Sequence, residues 1–171
     1  MMNIAICTPE LSYNDAASND VNWMFRVLEE SGYNVNIFAE KSNVSFPKVE
    51  HIKKINNFIK SSDDMLIYHL TIRWDRMLEI IKKLDCKKVI KNHNITPSEF
   101  FYGFYDAAAI DCKVGRQQLG IICEIGADLY LNDSMYSMYE FIGEGADRSK
   151  SFVVPPFHHI NRLAKKRAVS N

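Results

Sequence analysis

Val89-Ile90-Lys91-Asn92-His93-Asn94-Ile95-Thr96-Pro97 reads as a short apolar strand that runs into a polar turn. Pro97 biases Thr96 toward extended backbone, so the strand opens into a loop rather than a helix. On its N-terminal side, Met77, Leu78, Ile80, Ile81 and Leu84 recur at helical spacing. On its C-terminal side a long helical pattern covers roughly 107–125. A strand between two helices is the unit from which a parallel sheet is built.

The same unit repeats in both directions. Upstream, Asn3-Ile4-Ala5-Ile6-Cys7-Thr8 is a first strand, and Pro9 is expected to end it. A helix capped by Asn19 or Asp20 follows, with the stripe Val21, Met24, Phe25, Leu28 and a stop at Gly32. Val35, Ile37 and Ala39 alternate as a second strand. Val49, Ile52, Ile55, Phe58 and Ile59 predict another helix, and Met65-Leu66-Ile67-Tyr68 a third strand ending at His69. Downstream, Leu129-Tyr130-Leu131 is a fifth strand. Ser134 caps a short helix with Met135, Met138, Tyr139 and Ile142, and Phe152-Val153-Val154 is a sixth strand stopped by Pro155-Pro156.

Strict alternation of strands and helices predicts an α/β fold: a single Rossmann-like three-layer α/β/α domain with a mostly parallel sheet. Its 171 residues fit one domain. The expected boundaries are 1–163 for the domain and 164–171 for a tail or the start of a linker.

Composition narrows the function. Lys and Arg together number 21 and match 21 Asp and Glu, which argues against a nucleic-acid partner. Lys165-Lys166-Arg167 is a small basic patch at the chain end. Cys7, Cys86, Cys112 and Cys123 form no Cys-x-x-Cys pair, and no leader-like segment opens the chain, so a reducing cytoplasmic compartment is expected. No metal-site spacing is present, His158-His159 being adjacent on a loop. A phosphate-binding glycine loop and a Gly-x-Ser-x-Gly elbow are also absent. No cofactor is expected.

Ligands of such sheets bind at the carboxyl ends of the strands. Glu10, Leu11 and Ser12, then His69 and Thr71, then Asn92-His93-Asn94 and Thr96, then Asn132-Asp133-Ser134 should converge on that edge. His93 can act there as acid, base or hydrogen-bond donor near neutral pH, or serve as a satisfied structural histidine; His69 has the same two readings. In the first reading His93→Ala leaves the fold nearly intact. The run Phe100-Phe101-Tyr102-Gly103-Phe104-Tyr105 either folds back onto the core or forms a platform at the crevice mouth. Within the long helix, Ala107, Ile110, Val114, Ile121 and Ile125 form one stripe. Cys112, Leu119 and Cys123 lie opposite, a pattern that predicts burial on both sides. Gln118 falls in the isoleucine stripe and needs a partner. Arg116 either binds an anion or pairs with a carboxylate.

Several of these segments together resemble the family 4 (group 1) glycosyltransferases. They are Leu66-Ile67-Tyr68-His69-Leu70-Thr71, Val89 through Phe101, Gly115-Arg116-Gln117-Gln118-Leu119, Asp128 through Ser134 and Val153-Val154-Pro155-Pro156-Phe157, in order along nearly the whole chain. The resemblance implies the N-terminal half of a GT-B fold, whose two Rossmann-like domains face a cleft. It implies a retaining transfer of sugar from a nucleotide sugar to an acceptor hydroxyl, in cell-envelope polysaccharide synthesis, with no metal. It places His93 at the reaction centre, hydrogen-bonding the donor sugar, and Glu10, Leu11, His69, Asn94, Thr96, Glu99 and Arg116 on the acceptor side.

The expected partners are a nucleotide-sugar donor, held by a C-terminal domain that this sequence lacks, and a glycan or lipid-linked acceptor. Peripheral contact with the inner face of the membrane goes with them. One departure is plain: Pro9-Glu10-Leu11-Ser12 stands where the family often carries paired glycines. The competing expectation is a glycan-binding or subunit-interaction module without catalysis.

Overall fold

In the computed structural model, residues 2–45 and 47–157 are described. Seven strands, all parallel, form one sheet among these residues: β1 (Asn3–Leu11), β2 (Asn34–Ser42), β3 (Val49–His51), β4 (Met65–Leu70), β5 (Lys87–Asn92), β6 (Leu129–Asn132) and β7 (Ser151–Val153). Their order is β3-β2-β1-β4-β5-β6-β7. The helices are α1 (Ala16–Glu30), α2 (Asp75–Lys83), α3 (Asp106–Ile125) and α4 (Met135–Gly143). The chain is therefore a Rossmann-like α/β domain. The expected domain end at 163, His158-His159 and the basic patch at 165–167 lie outside the described residues.

The strand alternation separates two cores. Ile4 and Ile6 of β1, Ile67 of β4 and Val89 of β5 pack with Val21 and Phe25 of α1. Ala5, Cys7, Leu66, Tyr68, Leu70 and Ile90 point the other way, toward residues such as Met77 and Ile81 of α2, Leu119 and Ile122 of α3 and Phe141 of α4. Because successive side chains alternate faces, His69, Lys91 and His93 follow Ile67 and Val89 onto the α1 face. His69 and Lys91 are direct neighbours across the β4–β5 ladder. The strand order reverses between β1 and β4, the switch point at which open α/β sheets bind ligands.

Four local expectations change. β1 does not stop at Pro9 but runs to Leu11, pairing Glu10 with Lys41 and Leu11 with Ser42 of β2. Pairing with β4 ends at Cys7, so Pro9 sits on a side of the strand that is already free, where its missing N–H costs no ladder bond. α1 starts a turn early: Asp15 is the cap, its carboxylate accepting from the Ser18 N–H at 2.7 Å, and Asp20 is buried instead. The 49–59 stretch is not an α-helix. Residues 49–51 add a strand to β2, and Ile52–Asn57 form a 3-10 helix with Ile52 and Ile55 buried at its three-residue period.

α3 buries one face only, and not the isoleucine stripe. Ala109, Cys112, Gly115, Gln118, Leu119 and Ile122 face the core, while Ile110 and Ile121 are exposed. Small residues are required on the inner face because α3 lies against backbone: a Cβ on Gly115 would stand 2.7 Å from the Arg73 amide nitrogen. Gln118 is thereby on the buried side. Its Oε1 accepts from the Trp74 N–H at 3.0 Å and its Nε2 donates to Asp75 at 2.7 Å, tying α3 to the start of α2. Ser134 caps α4 in a reciprocal capping box with Ser137. No helix among the described residues is long and apolar enough to cross a membrane.

Candidate active site

Two adjoining cavities open at the carboxyl ends of the strands. One, of about 550 Å³, lies beside Pro9, Glu10, Glu40 and Arg73. The other, of about 460 Å³, is lined by His93, Asn94, Thr96 and Asp133, with Phe101 and Tyr105 on its apolar side. Asp15 and Ala17 of the α1 entry and Thr71 and Ile72 after β4 border both, so the two form a continuous crevice at the switch point.

Beneath the second cavity lies a buried polar chain on the α1 face. The His69 Nδ1 and His93 Nε2 are 2.9 Å apart, and the His93 Nδ1 is 3.0 Å from Asp133 Oδ2. Lys91 donates to the other Asp133 oxygen. Each residue has a local cause. Lys91 and His93 are two apart at the end of β5, His69 is Lys91's ladder neighbour, and Asp133 is two beyond Leu131 on the adjacent strand. Asp20 comes down onto the group from the first turns of α1, and its Oδ2 lies 3.6 Å from His93 Nε2 and 3.9 Å from both His69 Nδ1 and Lys91 Nζ.

The proton pattern follows from Asp133. Burial pushes its carboxyl upward, but the bonds from His93 and Lys91 outweigh this and hold it below the ordinary carboxylate range. An ionised carboxylate only accepts, so the His93 Nδ1 carries a proton and donates it to Asp133, while its Nε2 shares a hydrogen bond with His69 Nδ1. The His69 Nε2 is buried with no hydrogen-bond partner. Burial holds His69 well below its ordinary value, with His93 and Lys91 acting in the same direction. Asp20 is moved upward, chiefly by burial and against the Phe157 amide and the cations nearby.

Three donor atoms here, one each from Asp20, His69 and His93, lie within 4.8 Å of one another, a grouping invisible in the sequence because the residues are scattered along it. Its geometry is that of a hydrogen-bonded cluster. The imidazole centroids are 5.1 Å apart with planes at 22°, so the two nitrogens meet nearly head-on instead of converging on a third point. The Lys91 ammonium already supplies positive charge beside Asp20.

The sequence-derived site residues separate into four groups. His93, Asn94 and Thr96 line the second cavity and Glu10 the first. Asn94 is held at φ 59, a left-handed conformation that asparagine tolerates, with its N–H on the Asn92 side chain. His69 is fully buried and touches the crevice only through His93. Leu11, at an inward position of the extended β1, is fully buried in the α1-face core and lies outside both cavities. Glu99 is exposed on the 3-10 turn Ser98–Phe100, outside both cavities. Arg116 pairs with Glu140 of α4 and donates to the Ile95 carbonyl at 3.0 Å, the carboxylate-pairing arrangement of its two readings.

His93 differs from its expected role in one respect: both ring nitrogens are engaged by protein, and its side chain is 7% exposed. Asp133, 18% exposed, is the charged group of the chain that meets the crevice. The aromatic run splits. Phe101 packs against the core and, with Tyr105, lines the second cavity, whereas Phe100, Tyr102, Phe104 and Tyr105 are 55–76% exposed. Asp20 and Lys91 were not legible as site residues.

No protein-family model matches this chain, and no curated protein matches it.

Proposed function

We propose that this chain is the acceptor-binding domain of a retaining glycosyltransferase. It would bind a glycan or lipid-linked acceptor in the crevice, while a second domain presents the nucleotide sugar. The observation that carries the reading is the Asp133–His93–His69 chain ending in a crevice bordered by Phe101 and the exposed ring of Tyr105. Sugars offer hydroxyl groups, which an ionised carboxylate, an amide and a threonine hydroxyl can bind. They also offer apolar C–H faces, which suit aromatic rings. The resemblance of the segments around His69, His93 and Asp133 to family 4 glycosyltransferases supports the same reading. Cell-envelope polysaccharide assembly at the cytoplasmic face of the membrane is the setting it implies.

In this reading Asp133 accepts a hydrogen bond from the acceptor hydroxyl, and His93 fixes the Asp133 carboxylate and keeps it ionised. Asn94 and Thr96 orient the sugar ring. His93 is not a nucleophile. Turnover needs donor and acceptor held together, so the domain by itself binds without transferring.

Titration with envelope-type oligosaccharides and with nucleotide sugars, followed by ligand-observed NMR, tests this. Saturable glycan binding that Asp133→Asn weakens by about tenfold, the size of a hydrogen bond to a charged group, is expected. Failure of every glycan to bind while a nucleotide sugar binds tightly would overturn it. A second reading, a glycan-binding module without catalysis, is favoured by the exposure of Phe100, Tyr102 and Phe104. It predicts the same binding, but no transfer of labelled sugar by the full-length gene product.

A further inference from the structure

Lysine is almost never fully buried without a partner, and a buried ion pair contributes little net stability. Lys91 nonetheless has no exposed surface, and Asp20 is 1% exposed. Both reach from beneath the crevice to the same short segment of chain. The Lys91 ammonium donates to the Val154 carbonyl at 2.5 Å as well as to Asp133. Asp20 Oδ1 accepts from the Phe157 N–H at 2.8 Å, while its Oδ2 has no hydrogen bond. The Val154 N–H is held by the Asn132 carbonyl at 2.8 Å, and Pro156 forms part of the cavity wall. The four residues from Val154 to Phe157 are thus fastened at each end by one buried charge. Each charge has its other contact among the site residues.

We propose that Lys91 is a positioning residue that couples Asp133 to a strap, Val154–Phe157, closing one side of the crevice. The groups facing the clamp are Asp20 from α1, His69 from β4, His93 from β5 and Asp133 beyond β6. Among them Asp20 Oδ2 is the unpaired acceptor nearest the ammonium, 3.9 Å away. When Asp133 is withdrawn from Lys91, the ammonium turns to that oxygen. Asp20 then shares its charge between Lys91 and the Phe157 N–H, and the far end of the strap loosens. If the glycan-binding reading holds, a ligand hydroxyl on Asp133 is felt at Phe157. The coupling itself involves only this chain and needs no ligand, so it stands or falls separately from that reading.

Hydrogen exchange of the Phe157 amide, measured by NMR in the wild type, Asp133→Ala, Lys91→Met and the double variant, forms the test. Asp133 does not touch Phe157, so a merely structural role leaves that amide alone. Coupling through Lys91 speeds its exchange by roughly tenfold in Asp133→Ala, the size expected between contacting groups. The same substitution has no further effect when Lys91 is already Met. An equal effect in both backgrounds, or none in either, overturns the proposal. Should Lys91→Met not fold, a crystal structure of Asp133→Ala decides alone. Lys91 Nζ within hydrogen-bonding reach of Asp20 Oδ2 supports the coupling, and an unmoved Lys91 refutes it.

Discussion

Alanine at position 93 would leave the buried His69 Nδ1 without its hydrogen-bond partner and Asp133 Oδ2 without its donor. An unsatisfied buried polar group costs about 1–3 kcal/mol. His93→Ala is therefore expected to lose about 2 kcal/mol or more in urea denaturation, the outcome of the structural reading of His93 and not the near-intact fold of the functional one. His69 adds a pH dependence. Its folded value is depressed by burial, so the unfolded chain binds its proton first. His69's stabilising contribution is thus present above about pH 6.5 and is lost as pH falls below it. Asp20 acts in the opposite sense and at lower pH: its folded value is raised, so its contribution is greatest below the ordinary carboxylate range and is lost as pH rises through the folded value. Thermal melts from pH 8 to pH 5.5 should show a falling midpoint that His69→Gln flattens; an unchanged slope in that variant would exclude His69 as the source. The two histidines were legible because each ends a strand on the same edge. Asp20 and Lys91 were not: Asp20 occupies a plausible helix-cap position, and Lys91 looks like one of several lysines flanking a strand. The available signal was parity, since Lys91 alternates inward with Val89.

Helix α3 shows where periodicity misleads at the scale of an element. Ile110 and Ile121 carry much of the apolar signal, yet the packed face sets Ala109, Cys112, Gly115 and Gln118 beside Leu119 and Ile122. Close approach to the chain after β4 selects for small side chains, and hydropathy does not record closeness. Gly115→Ala separates the two influences. Helix propensity alone would favour alanine by about 1 kcal/mol. The added methyl would meet the Arg73 amide nitrogen at 2.7 Å and Ile95 Cδ1 at 3.1 Å, and the first of these neighbours is backbone. Overpacking of this kind costs about 1–3 kcal/mol, so a net loss of stability is expected. A gain would mean that α3 can slide away from residues 72–73. The existence of α1, α2, α4 and six of the strands was readable from alternation, because each element buries a face against one sheet. β3 was not, since three residues are too few to show a period and its neighbours Ile52 and Ile55 extend a helical spacing through it.

For the whole molecule, the sheet order decides which residues can act together. Reversal between β1 and β4 gathers loops from β1, β4, β5 and β6 at one mouth, and the aromatic run enters beside them through the Ser98–Phe100 turn. That much follows from alternation and handedness; whether the aromatic run lies on the core or stands free does not, because both arrangements use the same residue types. The structure divides the run between the two, and the division can be measured. Phe101 is partly buried against the core, so Phe101→Ser should lower stability by about 1–2 kcal/mol, less than burying a whole aromatic side chain contributes. Phe100, Tyr102 and Phe104 are more than half exposed, so their triple replacement by serine should leave the melting midpoint nearly unchanged. If the rim stacks on a sugar, the same triple variant loses glycan affinity while the Asp133 carboxylate remains intact. If it instead meets another protein surface or a membrane, glycan affinity survives and the triple variant differs from wild type only in vesicle or subunit binding. Equal melting behaviour makes the comparison clean, because any lost affinity then belongs to the rim and not to a loosened crevice.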